Sequence, residues 1–298
     1  MLPDKAFARY RIDRPKGFRL EDFATDGADD LPLQEDEAKA LLATATERLS
    51  KLQDLLYAQD RWSVLVVLQG MDTAGKDGII KHVMGAINPQ GCIVHAFKAP
   101  AGDELEHDFL WRPALRLPER GRIAIFNRSY YEEVIVVRVH PEFLDAQKLP
   151  DEVRGEGLWE HRFKSIRAFE RHLVHNGTLV LKFFLHLSKE EQRKRLLARL
   201  EEPDKRWKFA TGDVAERKLW NRYTDVYNEA IRATSRDEAP WQIVPADRKP
   251  FARLIVARAM VDALSRLELA VPRLSAKQLA LLRDIERDLK AEARPKRR

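Results

Sequence analysis

The sequence predicts an α/β protein in which a five-stranded parallel sheet carries helices on both faces. Three observations lead to this prediction: short apolar segments recur, helical segments separate them, and a glycine-rich turn follows the first. The apolar segments are continuous rather than alternating, which is typical of strands buried on both faces. Strands that alternate with helices form parallel sheets. The predicted strands are 64–68, 92–97, 122–126, 178–187 and 241–244.

Apolar residues that recur every three to four positions predict the helices between these strands. The predicted helices are Glu35–Gln59, 76–87, 104–117, 129–138, Leu158–His175 and a C-terminal helix within 275–298. We expect three parts along the chain. Residues 1–35 form an extended arm, residues 36–270 form one domain with a lid at about 201–217, and residues 271–298 form a helix with a basic tail.

Composition excludes several classes of protein. The chain has 298 residues, 44% hydrophobic and 34% charged, which is enough to bury one core. No apolar run approaches the roughly 18 residues of a membrane span, and charges interrupt the N-terminal segment where a signal peptide needs an apolar stretch. The single cysteine, Cys92, indicates a reducing compartment, and we expect the cytoplasm. A net charge of +6 fits a mixed charged surface as well as a polyanion partner.

The strongest motif is residues 70–76, Gly-Met-Asp-Thr-Ala-Gly-Lys, which fits the phosphate-binding pattern G-x-x-x-x-G-K. It follows a predicted buried strand and opens a predicted helix, as a P-loop does. We expect the backbone from Gly70 through Thr73, Ala74 and Gly75 to bind phosphate oxygens. The ammonium of Lys76 would then neutralise phosphate charge.

Two carboxylates depart from the usual P-loop. Asp77 stands where serine or threonine normally reaches Mg²⁺, and Asp72 lies inside the loop. A carboxylate there repels bound phosphate unless a cation intervenes, so we predict Asp72 as a ligand of Mg²⁺. For Asp77, phosphate or nucleotide binding and a simple interaction with the helix N-terminus remain equally open.

A second group of polar residues follows the third strand. Asn127 and Arg128 lie at its carboxyl end, the edge at which ligands bind in open α/β sheets. The guanidinium of Arg128 suits a phosphate. Glu132 either faces the same site or, with Ser129, forms a helix capping box.

Cations also follow the fourth predicted strand. Pro203 interrupts a helix there, and we predict that Arg199, Lys205, Arg206 and Lys208 meet transferring phosphates. A solvated helix face is the alternative interpretation. The chain's eight histidines lack metal-ligand spacing, and we expect them to be structural or exposed.

Several collinear segments together resemble the polyphosphate kinase 2 family: QGMDTAGKDGIIKHVMGAINPQG, FKAP, HDFLWR, FNRSYYEEVIVVRVHP, WKF and ERKLWNRY. The resemblance implies a thymidylate kinase-like P-loop fold with a helical lid. It also implies Mg²⁺-dependent transfer between inorganic polyphosphate and a nucleotide, without a phosphoenzyme. Asp72, Lys76 and Arg128 match catalytic or phosphate-binding positions of the family. Asn127 resembles the branch that accepts nucleoside monophosphates as well as diphosphates, namely AMP, ADP and also GMP and GDP.

The resemblance further implies a homo-oligomer, a dimer or a tetramer, with no nucleic acid or membrane partner. Two other functions remain open. One is an ATP-dependent small-molecule kinase on the same fold, against which the cationic lid and Asp77 weigh. The other is a nucleic-acid-binding protein without catalysis, which would leave the P-loop unexplained and would need exposed aromatic residues for stacking.

Overall fold

The computed structural model describes residues 7–13, 15–27, 32–209 and 211–292. Within them lies a six-stranded sheet of order β1-β6-β5-β2-β4-β3. The strands are β1 Arg11–Ile12, β2 Ser63–Gln69, β3 Cys92–Ala96, β4 Ile123–Asn127, β5 Thr178–His186 and β6 Trp241–Pro245.

The five predicted strands are present and pair in parallel, but the prediction of a purely parallel, five-stranded sheet is wrong. The sixth strand, β1, pairs antiparallel with β6 and makes the sheet mixed. This strand has only two residues, one of them charged, so no apolar run marks it in the sequence. Its pairing with a strand more than 200 residues away is a non-local interaction that sequence periodicity does not report.

Eight helices of two turns or more occur in the described part of the chain. They are α1 Glu35–Gln59, α2 Lys76–Val83, α3 Leu158–His175, α4 Lys189–Glu201, α5 Thr211–Lys218, α6 Trp220–Thr234, α7 Lys249–Ser265 and α8 Ala276–Glu292. Single α-helical turns lie at Trp111–Ala114, Val136–Val139 and Asp151–Arg154. Short 3₁₀ segments lie at Leu20–Asp22, Met84–Ala86, Pro89–Gly91, Gly102–Leu105, Tyr130–Val134, Pro141–Gln147 and Pro203–Lys208.

Apolar cores lie on both faces of the sheet. Every residue of β2 is buried, as its continuous apolar sequence predicts. Val64, Val66 and Leu68 face a core shared with α1 and α7. Leu65 and Val67 face the opposite core, shared with α3 and α6. The sheet therefore forms the middle layer of three, with β2 in its centre.

Two predicted helices are wrong over most of their length. Segment 104–117 forms no continuous helix, because Pro113 lacks a backbone N–H and a new turn begins where Leu110 N donates to Asp108 Oδ1 (2.8 Å). Segment 129–138 forms a 3₁₀ segment and a single turn, separated at Ile135. The predicted helix 76–87 also ends early, at Val83, and continues as a 3₁₀ turn.

The described part of the N-terminal arm packs on the body. Tyr10 and Leu20 are each 1% exposed, and the backbone N–H of Leu20 donates to Asn228 Oδ1 at 2.8 Å. At the other end of the chain, every described residue of α8 is exposed. Among the described helices, none combines the length and apolar character that crossing a bilayer requires.

Candidate active site

The P-loop lies at the carboxyl end of the central strand. It leaves β2 at Gly70, whose φ of +152° favours glycine. A Cβ at Gly70 would also stand only 3.0 Å from the backbone oxygen of Leu185, so close packing against β5 excludes a side chain. The loop then enters α2 through Gly75, with φ of +110°. The backbone conformation at these two positions explains why the motif has glycine there. The turn between them leads directly into the N-terminus of α2.

Lys76 is the buried cation of this loop. Its Nζ donates to the carbonyl oxygens of Gly70 at 2.6 Å and Met71 at 3.3 Å. Burial, with a contribution from nearby Arg128, lowers the pKa of Lys76 from 10.5 to about 8. An anion bound against the loop would favour the charged form. The hydroxyl of Thr73 is also buried and has no hydrogen-bond partner among the described residues, which suits a phosphate oxygen.

Arg128 connects the P-loop to the end of β4. Its backbone has φ of +64°, and its guanidinium contacts two carboxylates: Asp72 at 2.8 Å and Glu132 at 3.2 Å. Burial lowers the pKa of Arg128, but Glu132 and Asp72 outweigh it, so the net pKa lies above its ordinary value. The sequence-predicted group Asp72, Arg128 and Glu132 is therefore one ion-paired cluster.

The proposed capping box at Ser129 is not formed. Ser129 Oγ accepts from the backbone N–H of Tyr131 (3.2 Å) and from Gln69 Nε2 (3.1 Å). Glu132 does not return to the cap, because its carboxylate is held by Arg128. Of the two alternatives, capping and the site, the structure favours the site for Glu132.

Asn127 and Asp77 form the next contact along the sheet edge. Asn127 Nδ2 donates to Asp77 Oδ1 at 2.9 Å, joining the end of β4 to the first turn of α2. Asp77 is exposed and lines the same groove as the P-loop. The carboxylate therefore has a partner besides the helix N-terminus, and it faces the space where phosphates would lie.

A groove of about 690 Å³ runs from the P-loop toward α4 and α7. Arg195 stands at its wall and donates to the carbonyl oxygens of Thr73 (3.0 Å), Ala74 (3.2 Å) and Ala246 (2.7 Å). It also pairs with Glu191 at 2.8 Å. The cationic side chains of the lining are Lys76, Arg128, Arg195, Arg199, Lys249 and Arg253.

Sequence reasoning did not assign three of these cations, Arg195, Lys249 and Arg253, to the site. Arg195 lies one helical turn before Arg199, so their shared face of α4 was a usable signal. Lys249 and Arg253 lie in the first turns of α7, just after β6, at the same sheet edge as the P-loop. Only the fold shows that α7 brings them to the groove.

A second cavity of about 380 Å³ lies on the other side of Arg128. Its lining is mainly apolar, with a few polar side chains at its edge. The apolar lining residues include Phe97, Pro100, Leu105, Val136, Val137 and Phe143, and the polar ones include Arg112, Glu133 and Gln147. Arg128 lines both the cationic groove and this apolar pocket.

Comparison with known proteins identifies the family of this site. A family model described as polyphosphate kinase 2 matches residues 32–271. The chain belongs to the polyphosphate kinase 2 family. An ADP-polyphosphate phosphotransferase of Rhodopseudomonas palustris is 54% identical over 233 residues, 78% of this chain and 81% of that protein. An AMP/ADP-polyphosphate phosphotransferase of Meiothermus ruber is 43% identical, covering 89% of this chain and 95% of its own length.

A solved structure of polyphosphate kinase 2 from Arthrobacter aurescens TC1 has a similar fold. It superposes with a TM-score of 0.83 at 40% identity and covers 92% of this chain and 95% of its own. The α/β fold and the family predicted from the sequence motifs are therefore confirmed for this polyphosphate kinase 2 chain.

The predicted lid cations occupy different places. Arg199 lines the groove and pairs with Asp213 of α5 at 3.1 Å. Arg206 is exposed, and its Nε donates to the carbonyl oxygen of Leu200 at 2.9 Å. It is not among the residues that line the groove. The side chains of Lys205 and Lys208 lie outside the described part of the protein, so their role stays a prediction.

The acidic residues of this polyphosphate kinase 2 site fit a metal shared with substrate. Among the described residues, no three His, Cys, Asp or Glu side chains group closely enough to hold an ion by themselves. Mg²⁺ commonly takes only one or two carboxylates and completes its octahedron with phosphate oxygens and water. Asp72, at 30% exposure and with one oxygen on Arg128, provides such a carboxylate beside the phosphate-binding loop.

Proposed function

We propose that this enzyme uses inorganic polyphosphate and Mg²⁺ to phosphorylate both AMP and ADP. Phosphoryl transfer between polyphosphate and nucleotides is the activity of the enzyme, and membership of its family decides against the non-catalytic nucleic-acid-binding alternative. The observation that carries the proposal is the position of Arg128. It separates, and lines, a cationic groove and an apolar pocket.

The cationic groove suits the donor. Its cations line a volume of about 690 Å³, several times the volume that one phosphate group needs. Lys76, Arg195, Arg199 and Arg253 are among them, so several phosphates of a bound chain would meet a positive charge. An ATP-dependent kinase needs to hold only three phosphates there and has no use for the outer cations.

The apolar pocket suits the nucleoside of the acceptor. Its volume of about 380 Å³ and its aromatic residues Phe97 and Phe143 favour a planar base. The polar side chains at its edge already have partners: Gln147 Nε2 donates to Glu133 Oε2 at 2.6 Å, and Arg112 pairs with Glu104, outside the pocket lining, at 3.2 Å. Because these groups are satisfied, the pocket would select little between bases, and we include GMP and GDP among the acceptors.

The reaction follows from this arrangement. An oxygen of the acceptor phosphate attacks the terminal phosphorus of polyphosphate, and the bond to the next bridging oxygen breaks, so the shortened chain leaves with the electron pair. Lys76 and Arg128 stabilise the negative charge on the transferring group, which is the main requirement of phosphoryl transfer. Mg²⁺, which we propose binds Asp72, supplies further charge neutralisation when it is bound.

The proposal also covers the compartment, the oligomeric state and the partners of the enzyme. The lone Cys92 supports a reducing compartment, and we place the enzyme in the cytoplasm. The exposed apolar side chains of α8 support a homo-oligomer. The partners are polyphosphate and nucleotides, without nucleic acid or membrane.

The direct test is incubation with AMP or ADP, polyphosphate and Mg²⁺, followed by nucleotide chromatography. We expect AMP to give ADP and then ATP. If ADP is used and AMP is untouched, the acceptor assignment is wrong while polyphosphate transfer stands. If the rate with Mn²⁺ or Ca²⁺ equals the rate with Mg²⁺, or if the rate is unchanged after EDTA has removed the metal, the metal assignment is wrong.

Two matched variants test the division of the substrates. Phe143 is 47% exposed at the apolar pocket, so Phe143→Ala should fold and raise the KM for AMP and ADP while leaving the KM for polyphosphate unchanged. Arg253→Ala, in the groove, should do the reverse. Equal effects of both variants on both substrates would contradict the two-pocket arrangement.

A further inference from the structure

His140 lies outside the proposed reaction, yet it is held by contacts on every side. It ends the turn Val136–Val139 and is partly buried. Its Nε2 lies 3.0 Å from Glu216 Oε2, and its Nδ1 lies 3.2 Å from Glu142 Oε1. Its ring stacks on Phe143, with centroids 5.4 Å apart and planes at 28°. Both ring nitrogens and one face of the His140 ring are therefore engaged.

The important partner is Glu216, because it belongs to α5, the second half of the lid. The same oxygen, Glu216 Oε2, also accepts from the hydroxyl of Tyr223 on α6 at 2.6 Å. Burial, together with Glu216, raises the pKa of Tyr223, so this hydroxyl stays protonated and remains a donor. Glu216 is therefore bound to the body of the protein by two side chains from two separate elements.

The adjacent residue, Arg217, links α5 to α4. Arg217 Nη1 donates to the carbonyl oxygen of Lys189 (2.6 Å) and to Gln192 Oε1 (3.0 Å). Gln192 Nε2 donates in turn to the carbonyl oxygen of Asp72 in the P-loop at 3.1 Å. One turn earlier on α5, Asp213 pairs with Arg199 of the groove. The place of α5 thus sets the place of a groove cation.

We propose that His140 is a positioning residue for the lid: by holding Glu216, it keeps α5 docked and so keeps Arg199 in the donor groove. The inference rests on the proposed donor groove. The residues of this latch, His140, Glu216 and Tyr223, are not among those that line the donor groove. Glu216 and Tyr223 line a small cavity of about 40 Å³ together with Arg128 and Glu132.

The latch predicts a difference between two conservative substitutions. In His140→Gln, the amide Nε2 occupies nearly the place of the imidazole Nε2 and can still donate to Glu216. In His140→Asn, the shorter amide matches Nδ1 and reaches only toward Glu142. We expect His140→Ala and His140→Asn to raise the KM for polyphosphate about tenfold, the effect of losing about 1.4 kcal/mol of binding. His140→Gln should stay within threefold of wild type.

Controls separate the latch from general damage. Glu142→Ala removes the other partner of His140 and should leave both KM values unchanged, because the Glu142 side chain is 63% exposed and forms no ion pair with the described residues of α5. The KM for AMP should move less than twofold in His140→Asn and His140→Gln, which keep the polar side chain next to Phe143. The Tm of each variant should stay within a few degrees of wild type, because the latch is partly exposed. If His140→Ala does not fold, Tyr223→Phe tests the same latch by removing only the second donor to Glu216.

A readout independent of activity completes the test. The turn Pro203–Lys208 contains exposed Arg206, a site for trypsin between α4 and α5. Loosening α5 should speed cleavage there several-fold in His140→Ala and His140→Asn, but not in His140→Gln. Equal cleavage in all variants, or equal kinetic effects of the Gln and Asn substitutions, would overturn the proposal. Faster cleavage without a change in polyphosphate KM would retain the latch and refute the donor groove.

Discussion

At the scale of single residues, the site contains a buried lysine, Lys76, whose charged form is disfavoured by burial. Lys76 is 9% exposed and is solvated mainly by two backbone carbonyls. Burial lowers its pKa to about 8, whereas the neighbouring Arg128 keeps its charge against Asp72 and Glu132. The two cations therefore differ in how firmly they hold their protons. Arg128 is permanently charged, whereas the charge of Lys76 would be stabilised by a phosphate bound against the loop.

Replacing Lys76 by methionine should remove activity and change the pH dependence of stability. The folded pKa of about 8 lies below the ordinary 10.5, so between these values the unfolded chain holds a proton that the folded protein lacks. The free energy of unfolding of wild type therefore rises with pH across this window, by about 3 kcal/mol from Lys76 alone. Below pH 8 the lysine is protonated in both states, so it adds no pH dependence there.

Urea unfolding at pH 7.5 to 10 measures this term as the difference between wild type and Lys76→Met. We expect the variant to be relatively more stable at pH 7.5 and to lose that advantage by pH 10. Its kcat/KM should fall at least about 100-fold, the typical effect of removing one preorganised charge at a transition state. Parallel stability curves would contradict the burial of a titrating Lys76.

A second prediction concerns Asn127, which donates to Asp77 at 2.9 Å. Asn127→Asp places two carboxylates at that separation and should lower AMP use more than ADP use, by about 1–3 kcal/mol in kcat/KM. AMP suffers more because its single phosphate must both react and anchor the nucleotide, whereas ADP has a second phosphate for anchoring. The exchanged pair Asn127→Asp with Asp77→Asn restores the hydrogen bond and should recover part of the loss. If the kcat/KM of the exchanged pair is no higher than that of the single variant, the negative charge at position 77 matters rather than the hydrogen bond.

At the scale of elements, sequence patterns predicted what local periodicity and burial decide. Helices α1 and α3 begin and end where their apolar spacing predicts, and the five parallel strands follow from their continuous apolar runs. The P-loop was equally visible, because backbone conformation restricts its glycines. These features depend on residues close together in the sequence.

The elements that were missed depend on distant partners. Segment 129–138 is not a regular helix because Tyr130 and Tyr131 turn inward, where both hydroxyls donate to Glu170 Oε1 at 2.9 and 2.8 Å. Glu170 lies on α3 and also pairs with Lys182 of β5 at 2.6 Å. In the same way, Arg195 is one basic residue among many in the sequence, and only the fold shows its contacts with the P-loop carbonyls.

The buried pair Lys182–Glu170 should stabilise the segment that carries Arg128 and Glu132. Both side chains are at most 2% exposed, so Lys182→Met leaves a buried carboxylate without its cation and should cost about 3–5 kcal/mol of stability. Adding Glu170→Gln removes that charge while its amide oxygen still accepts from the tyrosines. We expect the double variant to recover most of the loss in urea unfolding. Additive losses would mean that the pair is not coupled.

At the scale of the whole molecule, a modest net charge hides an uneven distribution. The chain carries a net charge of +6, yet several of its cations line one groove at the carboxyl edge of the sheet. Elsewhere, surface cations pair within their own helices, as Lys39 does with Glu35 and Lys51 with Glu47. Composition reports the sum of these charges, whereas the proposed binding of polyphosphate depends on the charges that line the groove.

The groove should therefore make polyphosphate binding more sensitive to salt than nucleotide binding. Each phosphate neutralised by a cation releases counterions, and the slope of log affinity against log salt is about −0.7 per contact for flexible chains. With four or five cations engaged, we expect a slope of about −3 for long polyphosphate and about −1 for AMP. Titrations between 50 and 300 mM NaCl measure both.

Arg253→Ala should reduce the polyphosphate slope by nearly one unit and leave the AMP slope unchanged. Arg287→Ala on α8, where the arginine pairs with Asp284 outside the groove, removes the same charge and should change neither slope. Equal effects of these two variants would show that net charge, rather than the groove, attracts the polyanion.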